Sequence, residues 1–133
     1  MIKHLHVLAI LVALFCASTS TWAGVKDRDL ITAAGKGNLP GVKALLAAKT
    51  NVNAKTDNGV TALIAASENG HEEVVMALLA AKADVNAAAN DGVTALMAAS
   101  QSGFHEVVQT LLEAKANVNA KAGDGNTALI VAS

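Results

Sequence analysis

Apolar and polar positions recur along the chain with a period of 33 residues. Segment 58–67 reads NGVTALIAAS, segment 91–100 reads DGVTALMAAS, and residues 124–129 read DGNTAL. A second block, LLAAKTNVNA at 45–54, returns one period later as LLAAKADVNA and again as LLEAKANVNA. This self-similarity predicts a repeat architecture in which each period is one small helical unit.

Each unit is predicted to hold two short helices joined by a turn. Thr61 is suited to cap a helix that runs to about Asn69, and Gly70 ends it. A second helix begins near Glu72, whose carboxylate suits a helix N-terminus. Its apolar side chains follow helical spacing at Val74, Val75, Leu78 and Leu79. Since one helix pair cannot bury its own apolar face, neighbouring pairs must stack, which predicts an all-α repeat solenoid.

This pattern resembles the ankyrin repeat. The family motif G-x-T-P-L-H-x-A-A-x-x-G-H-x-E-V-V-x-x-L-L-x-x-G-A-D-V-N is matched by residues 59–86 at most positions. The resemblance covers residues 27–133 and implies stacked helix-turn-helix units with β-turn fingers. It divides the chain into an N-terminal capping unit at 27–59, repeats at 60–92 and 93–125, and a partial repeat at 126–133. Asn38 and Pro40 are suited to open the second helix of the capping unit.

Three positions of the family motif are replaced, each in three successive copies. The motif's Pro and His are replaced by Ala and by an apolar side chain, so apolar contact must take over from the histidine's hydrogen bonds. These replacements are Ala62, Ala95 and Ala128 for Pro, and Ile64, Met97 and Ile130 for His. The Gly that follows the outer helix is Lys49, Lys82 and Lys115. That position usually requires a positive φ, which costs a residue with a Cβ about 1 kcal/mol.

The end of the chain is predicted to be an inner helix without its outer partner. Residues 127–133 match the start of a repeat, and the apolar residues 129–131 lack a covering element. Two interpretations remain open. The natural chain continues past Ser133, which we favour because arrays normally close with a polar cap, or the exposed end promotes self-association.

The first 23 residues have the layout of a cleavable signal peptide. Lys3 and two histidines precede the apolar run 7–17, which is too short to span a bilayer. Thr21 and Ala23 place small residues before a cut ahead of Gly24. Cys16, the single cysteine, lies in the removed segment, which suits an oxidising compartment. We therefore expect an exported protein, periplasmic or secreted, without a stable membrane anchor after cleavage.

Composition excludes several functions. The net charge is −1 and aromatic residues make up 2% of the chain, so nucleic-acid binding is not expected. His71 fills the family's Gly-His position, where a structural role is expected, and Phe104 takes the corresponding place in the next repeat. The serines have no nucleophile-elbow context, and the histidines are too few for a zinc site. The sequence thus predicts no enzyme, no cofactor and no metal.

The remaining candidate site is a surface for a protein partner. In ankyrin proteins partners usually contact the finger tips and the ends of the inner helices on the concave face. Carried over by register, these positions are Lys55, Thr56, Asp57, Asn58, Val60, Glu68, Asn69, Ala88, Ala89, Asn90, Asp91, Val93, Gln101, Ser102, Lys121, Gly123, Asp124 and Asn126. The set holds no Trp, Tyr or Arg anchor.

The leading hypothesis is an exported ankyrin-repeat protein that binds an unidentified protein. Two alternatives stay open. The repeats are the targeting arm of a larger exported enzyme or effector, or the chain is a self-associating, stress-protective structural protein.

Overall fold

The computed structural model describes residues 19–125, with side chains from residue 26 onward. Six α-helices lie in this part of the chain. They are α1 Thr19–Lys36, α2 Leu39–Ala47, α3 Ala62–Glu68, α4 Glu72–Ala80, α5 Ala95–Ser102 and α6 His105–Glu113. Most of the predicted signal peptide (1–18), the predicted partial repeat 126–133, its apolar residues 129–131 and Asn126 lie outside the described residues.

The helices form two layers of antiparallel pairs. In the inner layer α1 packs against α3 and α3 against α5, while in the outer layer α2 packs against α4 and α4 against α6. Each pair also packs internally, so every helix touches both its own partner and the adjacent unit. The predicted all-α repeat solenoid is confirmed.

Threonine caps start the inner helices of the two repeats. The Oγ1 of Thr61 accepts a hydrogen bond from the backbone N–H of Ile64 at 3.2 Å, and Thr94 makes the same bond to Met97 at 3.4 Å. Both threonines are buried, so each hydroxyl supplies an acceptor to a backbone N–H at the helix start where water has little access. At the other end of α3, Gly70 has a φ of +73°, as expected of a residue that ends a helix.

The core runs continuously through the stack because each unit contributes small and branched apolar side chains to it. Leu63, Leu78, Leu96 and Leu111 are at most 2% exposed. The residues that replace the motif's histidine are also core residues, since Ile64 and Met97 are each 3% exposed. Apolar packing therefore substitutes for hydrogen bonding at that position.

Rings from one unit lie over glycines of the preceding unit. The Nε2 of His71 lies 3.1 Å from the carbonyl oxygen of Gly35, and its ring covers Gly37. One period later the ring of Phe104 covers Gly70 in the same way, without the hydrogen bond. The predicted structural role of His71 is thus confirmed.

Each outer helix ends on a lysine with left-handed backbone. Lys49, Lys82 and Lys115 have φ values of 61°, 68° and 66°. After the outer helix α4, the N–H of Lys82 donates to the carbonyl of Leu79 and the N–H of Ala83 donates to that of Leu78, both at 3.0 Å. This pair of bonds is a Schellman motif, and it confirms the positive φ predicted at this position.

The N-terminal unit is built around α1, which begins at Thr19, before the predicted start of the capping unit at residue 27. The helix therefore passes through the predicted cleavage position between residues 23 and 24. Its described core residues, Leu30, Ile31 and Ala34, all follow that position. The Oδ1 of Asn38 accepts from the N–H of Gly41 at 3.1 Å, as expected for the start of α2.

Candidate partner-binding surface

The fingers are tight hairpins that precede the inner helices. In the first, the N–H of Thr56 donates to the carbonyl of Val60 at 3.0 Å, and the N–H of Gly59 donates to that of Thr56 at 2.8 Å. Gly59 has a φ of +81°. A turn followed by a left-handed glycine is a common three-residue hairpin loop. The second finger repeats this geometry between Ala89 and Val93.

Neighbouring fingers are hydrogen-bonded to one another. The backbone N–H of Asn90 donates to the carbonyl of Asn58 at 2.9 Å, and the Nδ2 of Asn90 donates to that of Asp57 at 2.9 Å. The next finger is joined by the N–H of Gly123, which donates to the carbonyl of Asp91 at 2.6 Å. These bonds hold the three finger tips as one continuous row.

The predicted contact residues divide by exposure. Twelve are exposed: Lys55, Asp57, Asn58, Glu68, Asn69, Asn90, Asp91, Gln101, Ser102, Lys121, Gly123 and Asp124. Five are half-buried: Thr56, Val60, Ala88, Ala89 and Val93. The inner-helix ends and the finger tips therefore offer polar groups, while the apolar members of the predicted set lie lower in the hairpins.

Several of these residues also build the fingers. Val60, Ala89 and Val93 pack against the core. The Oγ1 of Thr56 accepts from the N–H of Val60 at 3.1 Å, and the Oδ1 of Asp91 accepts from that of Val93 at 3.1 Å. A substitution at one of these positions would change the shape of the finger as well as its surface.

A chain of Asn and Asp side chains supports the fingers, and the sequence analysis did not identify it. The Oδ1 of Asn53 accepts from the N–H of Asp84 at 2.7 Å, and the Oδ1 of Asn86 accepts from that of Asn117 at 2.7 Å. Within each loop, the first Asn or Asp side chain of the pair also accepts a hydrogen bond from the backbone N–H two residues later. For example, the N–H of Asn86 donates to the Oδ1 of Asp84. The sequence does contain the pattern that predicts it, namely the triplet Asn/Asp-Val-Asn, which recurs at 51–53, 84–86 and 117–119. We call this row of side chains the asparagine ladder; its members are Asn51, Asn53, Asp84, Asn86, Asn117 and Asn119.

Other kinds of site have little support in the described chain. A hollow at the start of α4 is lined by Gly37, Leu39, His71, Glu72, Glu73 and Val74. Between residues 19 and 125, no three His, Cys, Asp or Glu side chains cluster closely enough to hold a metal ion. No helix in that span combines the length and hydropathy needed to cross a bilayer.

Stacked antiparallel helix pairs with hairpin fingers and threonine caps define an all-α protein of the helical-repeat class. A family model for ankyrin repeats in three copies matches residues 30–122. The chain belongs to the ankyrin repeat family, whose repeats serve as protein–protein interaction modules. A comparison with curated proteins gave no match.

Proposed function

We propose that the chain is an exported protein that binds a protein partner through its finger row and the adjacent ends of its inner helices. The observation that carries this proposal is the set of bonds that Asn90 and Gly123 make to the preceding finger. A row that is already fixed before binding loses little conformational entropy when a partner docks.

The charges on this surface suit a polar, salt-dependent contact. Lys55 and Asp57 are exposed on the first finger, Asp91 on the second, and Lys121 and Asp124 on the third, so aspartates outnumber lysines by three to two. Such rim charges act mainly on the association rate and on the choice of partner. The partner is therefore expected to present a surface in which basic groups oppose the aspartates.

Export is supported by the order of charged, apolar and small residues in segment 1–23. It is also compatible with the fold, because the described core residues of α1 begin at Leu30, several positions after the proposed cut. The sequencing of the mature N-terminus after expression in a cell with a secretory pathway tests it. A start at Gly24 is the expected result, and an intact N-terminus would contradict export by this route.

The binding surface is tested by quantitative cross-linking of the full chain in the compartment where it resides. One variant removes the finger charges: Lys55→Gln, Asp57→Ser, Asp91→Ser and Asp124→Ser. Serine is chosen at position 91 because its hydroxyl can still accept the hydrogen bond that the N–H of Val93 donates to Asp91. A matched control makes the same change in net charge on exposed positions of the outer helices: Lys43→Gln, Glu73→Gln, Glu106→Gln and Glu113→Gln.

Partner proteins that are captured by the wild type and by the outer-helix control, and lost with the finger variant, would support the proposal. Equal capture by both variants would place the contact elsewhere. A circular dichroism melt of each variant is needed first, because a finger variant that unfolds would lose partners for a different reason.

Self-association is a second candidate, and one observation favours it. Within the described chain Leu112 and Val118 are 44% and 49% exposed, whereas Leu79 and Val85, their counterparts one unit earlier, are half-buried and pack against the core. Sedimentation velocity over a range of concentrations tests this. A monomer at every concentration would contradict it, and growth in mass that Leu112→Glu abolishes would support it.

A further inference from the structure

The three lysines that end the outer helices form a second surface, separate from the finger row. Lys49, Lys82 and Lys115 are all exposed, and each occupies the same position of its unit. We call them the lysine row. Because the outer helices stack side by side, successive members of the row are set apart by about one helix spacing, roughly 8–10 Å.

The lysines of the lysine row occupy a backbone conformation that favours glycine, so the presence of a lysine there needs an explanation. A φ near +65° disfavours any residue with a Cβ, and glycine is the ordinary residue in a Schellman motif. Lysine in this strained position recurs in all three units. A strained residue that recurs is a reason to look for a role of its side chain.

Two other exposed positions of the same helices differ between units. Positions 43, 76 and 109 hold Lys, Met and Gln, and positions 47, 80 and 113 hold Ala, Ala and Glu. The lysine row is identical in all three units.

The ammonium groups of the lysine row are not used inside the fold. Within residues 26–125 the structure gives none of them an ion-pair or hydrogen-bond partner. Their compensation is limited to the partial negative charge at the C-terminal ends of α2, α4 and α6. They are therefore available to an external anion.

The asparagine ladder adds donors to the loops that follow the lysine row. Asn53 and Asn86 each use Oδ1 to accept a backbone N–H from the next unit. Their Nδ2 groups consequently remain as donors with no acceptor in the described chain. The acidic groups that take part in this row are Asp84 and Asp27, whose Oδ1 accepts from the N–H of Asn51 at 3.2 Å. The three lysines of the lysine row outnumber these two aspartates, and the asparagine amides add further donors.

We propose that the lysine row, with the amide groups of the asparagine ladder, binds an extended acidic segment of a protein. An extended chain in the polyproline II conformation has three residues per turn and rises about 3.1 Å per residue, so carboxylates at every third residue lie on one face about 9 Å apart. That interval matches the helix spacing that separates the lysines. A nucleic-acid strand fits less well, because the protein has a net charge of −1 and 2% aromatic residues.

The test uses the full chain and fluorescence anisotropy at low ionic strength. The probe is a labelled synthetic peptide with Glu at every third position in a Gly/Ser background. A second peptide of the same composition groups its glutamates together. Phosphatidylglycerol vesicles and single-stranded oligothymidine serve as alternative polyanions.

Three sets of variants separate charge from folding. Lys49→Gly, Lys82→Gly and Lys115→Gly together remove the charge and the backbone strain, so the melting temperature should not fall. The corresponding triple changes to Gln remove the charge with similar side-chain length, and those to Arg keep it. We expect the Gly and Gln proteins to bind the spaced peptide about tenfold more weakly and the Arg protein to bind it as the wild type does.

Unchanged binding by the Gly and Gln proteins would overturn the proposal. Equal affinity for the peptide with grouped glutamates would overturn the matched spacing, and tighter binding to vesicles or oligothymidine would overturn the acidic segment as the ligand. The finger variant described above should still bind the spaced peptide. A failure of the finger-row proposal is therefore distinguishable from a failure of this one.

Discussion

The packing of Phe104 on Gly70 gives a sharp prediction about how the units hold together. A Cβ added to Gly70 would lie 2.5 Å from Cδ1 and 2.6 Å from Cε1 of the Phe104 ring. Real Cβ atoms do not approach other atoms so closely, so the ring or the backbone of one unit must shift. Gly70→Ala should therefore weaken the contact between the units that carry α3 and α6.

The expected loss in the free energy of unfolding has two parts. The φ of +73° at Gly70 costs alanine about 1 kcal/mol. Forcing extra volume into a packed contact typically costs about 1–3 kcal/mol. The free energy of unfolding of Gly70→Ala should fall by about 2–4 kcal/mol in total.

Gly103 provides the matched control. It has a φ of +78°, but no described atom lies within 4 Å of a Cβ placed there. Gly103→Ala should therefore show the backbone cost alone, about 1 kcal/mol. The difference between the two variants isolates the contact with the ring.

Urea denaturation monitored by circular dichroism measures the free energy of unfolding of both variants. The two values can be compared only if the m-values agree. Combining Gly70→Ala with Phe104→Ala should recover most of the steric part, since the obstructing ring is then absent. Equal destabilisation by Gly70→Ala and Gly103→Ala, or strict additivity with Phe104→Ala, would refute the argument.

Three further substitutions test other parts of the structure. Lys82→Gly should raise the melting temperature by about 2 °C, because relief of the positive φ outweighs the lost dipole interaction. The control Lys82→Ala keeps the backbone strain and should lower the melting temperature. An unchanged or lower melting temperature for Lys82→Gly would contradict the reasoning. Asn86→Ala removes the 2.7 Å bond from the N–H of Asn117 and should cost about 1 kcal/mol in urea denaturation, whereas no change would mean that water replaces the bond fully. Ser67→Ala should stabilise the protein by about 1 kcal/mol, because the buried Ser67 hydroxyl has no hydrogen-bond partner among the described residues and the chain already places Ala34 at the corresponding position. A loss of thermal stability in Ser67→Ala would show that the hydroxyl has a partner in solution.

Much of the candidate surface could be located from the period of the chain, but its internal connections could not. The register placed Lys55, Asp57 and Asp91 at the fingers, and the structure exposes all three. It also selected Val60 and Val93, which the structure packs against the core. Position within a repeat predicts which loop a residue occupies, whereas burial depends on how that loop lies against its neighbours.

The sequence alone determined the local structure of this protein. The capping role of Thr61 and the left-handed backbone at Lys82 follow from short-range chemistry repeated every 33 residues, whereas the structural role of His71 was implied by the family resemblance and rests on a contact 36 residues away. Local propensity suffices there, because each helix start and stop is decided by residues within one turn of it.

Only the tertiary structure decided which atoms meet between units. The ladder bonds join residues 31 positions apart, as from Asn53 to Asp84, rather than a full period of 33. The asparagine side chain therefore bonds diagonally across the stack, at an offset set by the distance and tilt between helix pairs. The same geometry leaves the buried Ser67 hydroxyl without a partner in residues 26–125 and places Lys49, Lys82 and Lys115 at equivalent positions of successive units. A periodic sequence makes equivalent residues neighbours in the stack. The packing of the helices determines the distance between their atoms, and therefore whether a hydrogen bond forms.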